Sequence, residues 1–270
     1  MTQIKRDLTS NQKLRIFLSG CLGRMGKVIA GIAAESADLE IVAGSDLKSD
    51  PSSLFPVFAN PLDCDIEFDV LIDFSNPAVL PSLLQLLKRE KKPGIICTTG
   101  LDAAQIDMIK TASAEIPLFR SANMSLGINL LSKLARDAAA LLYPDFDIEI
   151  IEVHHNQKID APSGTALLLA DAVNDQLDGA LEYVYDRSQV RRKRAGNELG
   201  MHAIRGGTIV GEHTVLFAGS DEVIELKHTA QSRAVFARGA VAAARFMADR
   251  QSGLYSMDDV LAAKFSSKDQ

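Results

Sequence analysis

The turn after the first apolar run is the feature that most constrains the fold. Gly20, Gly23 and Gly26 fall at intervals of three, between the apolar run 14–18 and a helix predicted over 24–36. Glycines between a strand and a helix let the backbone approach a pyrophosphate, and the helix start offers N–H groups and partial positive charge. The spacing Gly-x-x-Gly-x-x-Gly departs from the standard Gly-x-Gly-x-x-Gly, so a tight turn packed under a sheet is the alternative. The context favours a dinucleotide site.

Asp46 supplies a second match in register. It lies twenty residues beyond Gly26, at the end of a strand predicted over 39–44. An acidic side chain at that place commonly accepts hydrogen bonds from the adenosine ribose, although an ordinary turn aspartate is the alternative. Strand and helix patterns alternate from there to about residue 120. This order predicts an α/β fold with a Rossmann-type, doubly wound parallel sheet that binds a nicotinamide dinucleotide.

The pattern changes near Met124. An amphipathic stretch over 126–142, an alternating strand over 146–154 and a helix over about 164–177 come first. Three strand-like runs then follow at 201–205, 208–218 and 221–228, before a closing alanine-rich helix over about 232–248. Short connections between strands predict antiparallel pairing. We expect a second, α+β domain with a mixed or antiparallel sheet. No third strand is evident between Asp46 and Asp69.

Charge and composition exclude several classes of function. The 29 Lys and Arg against 35 Asp and Glu give a formal net charge of −6, which argues against a nucleic-acid-binding protein. We read the cationic run 191–194 as a solvated loop. No apolar stretch reaches the roughly 18 to 20 residues of a membrane span, and the start lacks a signal-peptide core. The three cysteines are far apart, so we expect no disulfide or thiolate metal site, and a cytoplasmic protein.

The segment from Glu152 to Ala166 carries the second cluster of reactive groups. His154 and His155 are adjacent, and neighbouring strand residues point to opposite faces, so they are poorly placed to bind one metal ion. His154 with Lys158 instead supplies a proton donor near neutral pH and a fixed cation, as reduction of a charged imine or enamine requires. For His155, a purely structural role is an equal alternative.

Ser163 begins the next predicted helix. It is a good N-cap, but Ala166 stands where a capping box has glutamate, so N–H groups of the first turn are left for another acceptor. That acceptor is either water or a carboxylate held by Gly164, Thr165 and Lys158.

These segments together resemble a known family. With Cys97-Thr98-Thr99-Gly100, the stretch 122–129 and the stretch 205–213, they closely resemble the dihydrodipicolinate reductases, in order from about residue 14 to 250. The resemblance implies reduction of the cyclic dicarboxylate 4-hydroxy-tetrahydrodipicolinate to tetrahydrodipicolinate, with NADH or NADPH, in lysine and diaminopimelate biosynthesis. It also implies a homotetramer, a dinucleotide-binding domain over 1–124 and 231–270, and a substrate-binding and oligomerisation domain over 125–230.

The resemblance implies roles for individual residues. His154 becomes the proton donor and Lys158 the second essential group. The substrate carboxylates are assigned to His155, Ser163, Gly164, Thr165 and Thr99. The dinucleotide is assigned to Gly20, Gly23, Arg24, Met25, Asp46 and Gly100, with Ala122, Asn123 and Met124 on the hinge side of its site. Cys97 departs from the family's usual glycine, which puts a Cβ beside the nicotinamide.

Other functions stay open at this point. Another NAD(P)-dependent dehydrogenase of amino-acid metabolism is one, although a thioester-forming enzyme needs a cysteine nucleophile and Cys97 has no histidine near it in sequence. A non-catalytic dinucleotide sensor is the other, since fold alone does not prove chemistry. For the cofactor we expect dual use with a bias toward NADH, because Asp46 suits a ribose 2′-hydroxyl while Arg24 and Lys48 offer compensating cations.

Overall fold

The computed structural model describes residues 12–266, which fold into two units. One unit ends at Met124 and resumes at Ala234, and the other is Ser125–Arg233. The sequence placed the second boundary three residues earlier, between residues 230 and 231. Residues 1–11 and 267–270, which the predicted first domain includes, lie outside the described residues.

Twelve strands and seven α-helices follow one another along the described chain. The first unit begins with β1 Leu14–Ser19, α1 Arg24–Glu35, β2 Leu39–Ser45, β3 Val57–Phe58, β4 Val70–Asp73, α2 Leu80–Glu90, β5 Gly94–Ile96, α3 Ala103–Ser113 and β6 Pro117–Arg120. The second unit contains α4 Leu126–Leu142, β7 Asp147–His154, α5 Gly164–Gln176, β8 Glu182–Val184, β9 Glu198–Arg205, β10 Gly211–Ala218 and β11 Val223–Ala230. The chain then adds α6 Ala234–Met247, β12 Gly253–Tyr255 and α7 Met257–Ser266 to the first unit.

The sheet of the first unit has the order β12-β6-β5-β4-β1-β2-β3, and its neighbouring strands pair in parallel. Strands β1 and β4 are buried almost throughout, as expected for central strands covered on both faces. Apolar side chains of α2, including Leu83, Leu86 and Leu87, join Phe17 and Leu71 in one core. The predicted Rossmann-type doubly wound sheet is confirmed.

The strand order reverses between β1 and β4. In open parallel sheets of this kind, ligands bind outside the carboxyl ends of the strands at that reversal. The glycine turn follows β1 there, and Asp73 ends β4. The reversal of strand order therefore coincides with the edge at which the sequence predicted a dinucleotide site.

Two strands of this sheet were missed by the sequence analysis. Strand β3 has two residues and pairs with the end of β2. Strand β12 has three residues and extends the sheet beyond β6. Runs this short show no periodicity, so only their pairing partners reveal them.

The second unit is built on a five-stranded mixed sheet with the order β11-β10-β7-β9-β8. Residues alternate along β7, so that Ile148, Ile150, Glu152 and His154 are buried while the intervening residues are more exposed. The two isoleucines share a core with apolar residues of α4 and α5. Glu152 and His154 continue that face toward the end of the strand.

The prediction of successive antiparallel pairing was wrong for β9 and β10. Of the three predicted runs, only the two that form β10 and β11 pair as such a hairpin, because β9 pairs in parallel with β7 and β10 lies on the other side of β7. The connection 206–210 passes over the end of β7, where the Gly206 N–H donates to the His154 carbonyl at 2.9 Å. Five residues are long enough to cross one strand, since neighbouring strands lie only about 4.8 Å apart. The stretch predicted to be polar before residue 200 also contains β8.

None of the helices within residues 12–266 combines the length and the apolar character that crossing a membrane requires.

Candidate active site

The three glycines after β1 differ in what surrounds them. Gly20 has φ +76°, and a Cβ there would lie 2.4 Å from the Phe74 carbonyl oxygen. A Cβ on Gly26 would lie 2.3 Å from the Gly20 carbonyl oxygen. These two glycines are required by the tight turn itself. Gly23 is exposed, and the nearest atom to a Cβ there is the Gly20 oxygen at 3.2 Å.

The start of α1 is prepared for an anion. Gly23 is its N-cap, no side chain caps the helix, and its first turn has no acidic residue. A cavity of about 220 Å³ opens beside it. The cavity is lined by Ser19, Gly20, Gly23, Ser45, Asp46, Leu47, Ala59, Pro61, Phe74, Ser75, Asn76 and Val79. Uncapped N–H groups beside a cavity with an acidic residue fit the phosphates and ribose of a dinucleotide.

Asp46 ties this turn to the end of β2. One of its carboxylate oxygens accepts from the Leu22 N–H at 2.9 Å and the other from the Leu47 N–H at 2.8 Å. Each oxygen keeps a lone pair for another donor. The predicted residues Gly20, Gly23 and Asp46 thus line one cavity, whereas the exposed Arg24 and the half-buried Met25 lie in the first turn of α1.

Asp73, at the end of β4, was not among the residues predicted for the cofactor or substrate site. It is 1% exposed and accepts from the Ser75 N–H at 3.0 Å and from the Thr98 hydroxyl at 2.7 Å. Burial raises the pKa of its carboxyl above the usual value. Asp73 therefore joins the loops after β4 and β5, and the second of these carries the exposed Thr99 and Gly100.

Cys97 is buried at the end of β5. Burial raises the pKa of its thiol well above the ordinary value, with a further contribution from the charge of Asp73. Since the thiolate is the nucleophile, this environment argues against the thioester-forming dehydrogenase considered as an alternative.

The remaining cofactor candidates, Ala122, Asn123 and Met124, connect β6 to the end of the first unit. These three residues are not among the described residues that line the cavity beside Gly23. Thr99 and Gly100 are not among them either. A Cβ on Gly239 would lie 1.6 Å from the Met124 carbonyl oxygen, so α6 packs directly against this segment.

In the second unit, a buried carboxylate organises the predicted catalytic residues. Glu152 is fully buried and accepts from His154 Nδ1 at 2.5 Å. Both terminal nitrogens of Arg205 donate to it at 2.7 Å, and the Ser163 N–H donates at 3.0 Å. Burial opposes ionisation, but the hydrogen bonds from Arg205 and His154 keep the pKa of Glu152 below its ordinary value. Glu152 therefore carries a negative charge at neutral pH.

His154 lies at the end of β7, with its ring against that of His213. Their centroids are 5.1 Å apart and the rings are nearly perpendicular. Burial lowers the pKa of His154, and the charges of Lys158 and Arg205 add to that effect while Glu152 opposes it. Burial and the neighbouring His154 lower the pKa of His213 to about 4. Both imidazoles are therefore neutral at pH 7 in the protein by itself.

Ser163 is confirmed as the N-cap of α5. Its hydroxyl oxygen accepts from the Ala166 N–H at 3.1 Å and lies 3.0 Å from His213 Nε2. Gly164 is exposed and Thr165 is half-buried at the first turn. The helix start that was predicted to bind a carboxylate thus lies next to His213, whose ring contacts that of His154.

The loop after β7 holds His155 and Lys158. His155 is half-buried, and its carbonyl accepts from the Lys158 N–H at 3.1 Å. Lys158 Nζ forms an ion pair with Asp160 at 2.9 Å, with 20% of the Lys158 side chain exposed. Lys158 thus brings its charge close enough to lower the pKa of His154.

Glu152, Arg205 and His213 stand in the motifs of the sequence, but those motifs predicted no role for them. The alternation of β7 puts Glu152 on the same face as His154, which is a signal that could have identified the pair. Arg205 lies opposite His154 in the β7–β9 register, and His213 reaches Ser163 from β10. Those two contacts depend on a strand order that the sequence did not reveal.

Within residues 12–266, no group of three or more His, Cys, Asp or Glu side chains is arranged to hold a metal ion.

Two family models cover almost the whole chain. The one described as dihydrodipicolinate reductase, N-terminus, matches residues 14–124, and the one described as dihydrodipicolinate reductase, C-terminus, matches residues 127–261. The chain belongs to the dihydrodipicolinate reductase family. The family resemblance inferred from the sequence motifs is confirmed.

Relatives in the dihydrodipicolinate reductase family match the chain along most of its length. The 4-hydroxy-tetrahydrodipicolinate reductase of Clostridium tetani is 52% identical over 92% of this chain and 97% of its own length. That of Clostridium novyi is 50% identical over 93% of this chain and 99% of its own length. The structure of a dipicolinate-bound dihydrodipicolinate reductase from Paenisporosarcina sp. TG-14 is similar in fold, with a TM-score of 0.77 at 24% identity, covering 90% of this chain and 97% of that one.

Proposed function

We propose that this protein reduces 4-hydroxy-tetrahydrodipicolinate to tetrahydrodipicolinate with NADH or NADPH, a step in the biosynthesis of diaminopimelate and lysine. The observation that carries the proposal is the arrangement around Glu152, which joins His154 to the start of α5 at Ser163. A proton carrier and a helix start suited to a carboxylate are the two features that reduction of a cyclic dicarboxylate needs from a protein.

The first unit has the features of the dinucleotide site. Gly20 and Gly23 bring the backbone close to the pyrophosphate at the start of α1, and Asp46 accepts from the adenosine ribose. Arg24, Met25, Gly100, Ala122, Asn123 and Met124 are the further residues that we assign to the cofactor. When bound, the reduced nicotinamide supplies a hydride.

The second unit binds and protonates the substrate. Ser163, Gly164 and Thr165 bind one carboxylate at the start of α5, and Lys158 and His155 contribute charge and hydrogen bonds to the substrate. Thr99 of the first unit is assigned to the carboxylates as well. When it is protonated on both ring nitrogens, His154 donates the proton on Nε2 to the substrate as the reduction is completed.

His154 depends on the substrate for its proton. Burial lowers the pKa of its imidazole in the protein by itself. A substrate with two negative charges raises that pKa, because nearby opposite charge favours the imidazolium. Substrate binding therefore charges the residue that acts as the acid.

For the cofactor we propose dual use with a bias toward NADH. Asp46 lines the cavity beside Gly23 and would repel a 2′-phosphate, whereas the exposed Arg24 and Lys48 would attract it. The ratio of kcat/KM for NADH to that for NADPH measures the balance, and a strict preference for NADPH would reverse our ranking of these charges.

We also propose that the protein works as a homotetramer in the cytoplasm, with residues 125–230 forming the subunit contacts. The family membership supports this assembly. Sedimentation equilibrium tests it, and a monomer at assay concentrations would contradict it.

The activity is tested by coupling the protein to the upstream synthase, which generates the unstable substrate in place. We expect synthase-dependent loss of absorbance from NADH, and from NADPH at lower efficiency. Cofactor binding without turnover would overturn the proposed reaction and favour a dinucleotide sensor. Turnover of unrelated keto acids but not of this substrate would favour another dehydrogenase.

A further inference from the structure

Glu152 receives more hydrogen bonds than a side chain that only fills the core would need. Its Oε2 accepts from His154 Nδ1 at 2.5 Å and from Arg205 Nη1 at 2.7 Å. Its Oε1 accepts from Arg205 Nη2 at 2.7 Å and from the Ser163 N–H at 3.0 Å. One fully buried carboxylate thus connects the imidazole at the end of β7 with the N-cap of α5.

We propose that Glu152 is a positioning residue that fixes His154 with a proton on Nδ1 and ties that ring to the start of α5, while Arg205 holds the carboxylate in place. The effect on turnover rests on the proposed function. The protonation pattern is a property of the protein by itself.

The tautomer follows from what a carboxylate can do. An ionised Glu152 only accepts hydrogen bonds, so His154 must donate from Nδ1. The other ring nitrogen, Nε2, is then the atom that gains and loses the proton during reaction. Gly211 lies beside it, and a Cβ there would be 3.0 Å from Nε2. Because Gly211 has no side chain, nothing from that residue covers this edge of the ring.

Arg205 makes the buried charge tolerable. Its two terminal nitrogens donate to both oxygens of Glu152. This bidentate arrangement is the strongest hydrogen-bonding geometry for a carboxylate. The same nitrogens donate to the carbonyls of Ile204 at 2.8 Å and Asp160 at 2.6 Å, so the guanidinium is itself fixed by the main chain. Without such a partner, burial would raise the pKa of the carboxyl.

The charges around His154 predict that removing Glu152 and removing Arg205 shift the titration in opposite directions. Glu152 raises its pKa, Arg205 and Lys158 lower it, and His213, from β10, is neutral at pH 7. Removing the charge of Glu152 must shift the titration of His154 to lower pH. Removing the charge of Arg205 must shift the titration of the Glu152–His154 pair to higher pH.

Glu152→Gln is the informative variant because its amide has one acceptor and one donor end. The buried Ser163 N–H needs the acceptor, so the amide oxygen takes that position and the NH₂ group faces His154 Nδ1. The Nη1 group of Arg205, displaced from Glu152, keeps its bond to the Ile204 carbonyl. His154 must then accept at Nδ1 and carry its proton on Nε2.

Glu198→Gln is the matched control. Glu198 is also a buried carboxylate, 1% exposed, and is paired with Arg187 and Arg192. Ala203 of β9 lies opposite Glu152 of β7. Glu198 lies five residues before Ala203, a separation of about 17 Å along the strand. It therefore reproduces the loss of a buried charge without touching His154.

The experiment measures the protonation of the five histidines by ¹⁵N NMR, with His154→Gln used to assign the His154 signals. We expect a proton on Nδ1 in the wild type and on Nε2 in Glu152→Gln, with Glu198→Gln unchanged. The titration should move to lower pH in Glu152→Gln and to higher pH in Arg205→Met. In turnover, Glu152→Gln should lose about two orders of magnitude in kcat, as expected when a catalytic imidazole is in the wrong tautomer.

A wild-type proton on Nε2, or titration shifts of the same sign in Glu152→Gln and Arg205→Met, would overturn the proposal. So would equal losses of kcat in Glu152→Gln and Glu198→Gln, since these would reflect only the cost of a lost buried charge. If the wild type does not reduce the dicarboxylate but has the expected tautomer and opposite shifts, the positioning role stands and the proposed function fails.

Discussion

At the scale of the residue, the glycines after β1 separate a requirement of the fold from a requirement of the ligand. Gly20 and Gly26 have main-chain atoms where a Cβ would lie, so any side chain there disrupts the turn. Gly23 has an ordinary extended conformation, with φ −70° and ψ 172°, that any residue can adopt. A Cβ there would lie 3.2 Å from the Gly20 carbonyl oxygen, a tight contact that requires only a small shift, so the turn demands glycine less strictly at residue 23 than at residues 20 and 26.

We predict that Gly23→Val weakens NADH binding at least about tenfold, equivalent to about 1.4 kcal/mol, because its side chain occupies the space of the pyrophosphate. Fluorescence titration with NADH measures the affinity. Gly31→Val is the control, since Gly31 lies on the same helix with no atom within 4 Å of a Cβ. Unchanged affinity in a folded Gly23→Val variant would remove the cofactor from this turn.

The sequence identified the residues with recognisable motifs and missed those defined by burial. The three glycines, Asp46 and the segment from His154 to Thr165 stand in local patterns that can be read directly. Glu152 and Arg205 become visible as a pair only when β9 is known to lie beside β7. A buried ion pair is a tertiary feature, and no local pattern specifies its second member.

At the scale of the element, the start of α5 should discriminate between one and two carboxylates. We predict that pyridine-2,6-dicarboxylate inhibits competitively against the substrate, with one carboxylate at Ser163, Gly164 and Thr165 and the ring where reduction occurs. Pyridine-2-carboxylate loses one charged hydrogen-bonding group, at roughly 1.5 to 3 kcal/mol, and should bind at least tenfold more weakly.

Steady-state inhibition with the two compounds tests this site. Rising salt should weaken the dicarboxylate moderately, because Lys158 contributes a partly exposed charge. Equal potency of the two compounds, or competition only with the dinucleotide, would exclude a dicarboxylate site at this helix start.

The neighbouring strands β10 and β11 add a pH dependence to stability. His213 and His228 face each other in register, and burial lowers the pKa of both. For His213 the pKa falls from 6.5 to about 4, so the unfolded chain binds a proton more readily than the folded one between these values. Its contribution to stability is complete above pH 6.5 and is lost as the pH falls toward 4.

We therefore predict that the free energy of unfolding falls on acidification from about pH 7 to about pH 5, and that His213 accounts for about 2 kcal/mol of the fall. His213→Gln cannot titrate and keeps a donor for the Ser163 hydroxyl, so its stability should fall less by that amount. Urea unfolding at both pH values measures the difference. An identical loss in wild type and variant would show that His213 is not buried in its neutral form.

At the scale of the whole molecule, the order of elements was predictable and part of their pairing was not. Alternating strands and helices specify a doubly wound sheet, because parallel strands need crossover helices. The antiparallel hairpin assumed for β9 and β10 failed because a five-residue connection can either turn back or cross a strand, and the choice depends on where β7 lies. Strands β3, β8 and β12, of two or three residues, have no pattern of their own.

In the proposed mechanism, turnover depends on His154 and Lys158 of the second unit, while NADH binds to the first. The most direct measurement is the rate of NADH oxidation with the synthase-generated substrate, for His154→Gln and Lys158→Ala beside the wild type. His202→Gln is the control, because His202 also pairs with a glutamate of β7, Glu149, at 2.7 Å. We predict that both site variants lose about two orders of magnitude or more in turnover with NADH affinity unchanged, and that the control keeps its rate. Wild-type turnover in His154→Gln and Lys158→Ala would contradict the proposed mechanism.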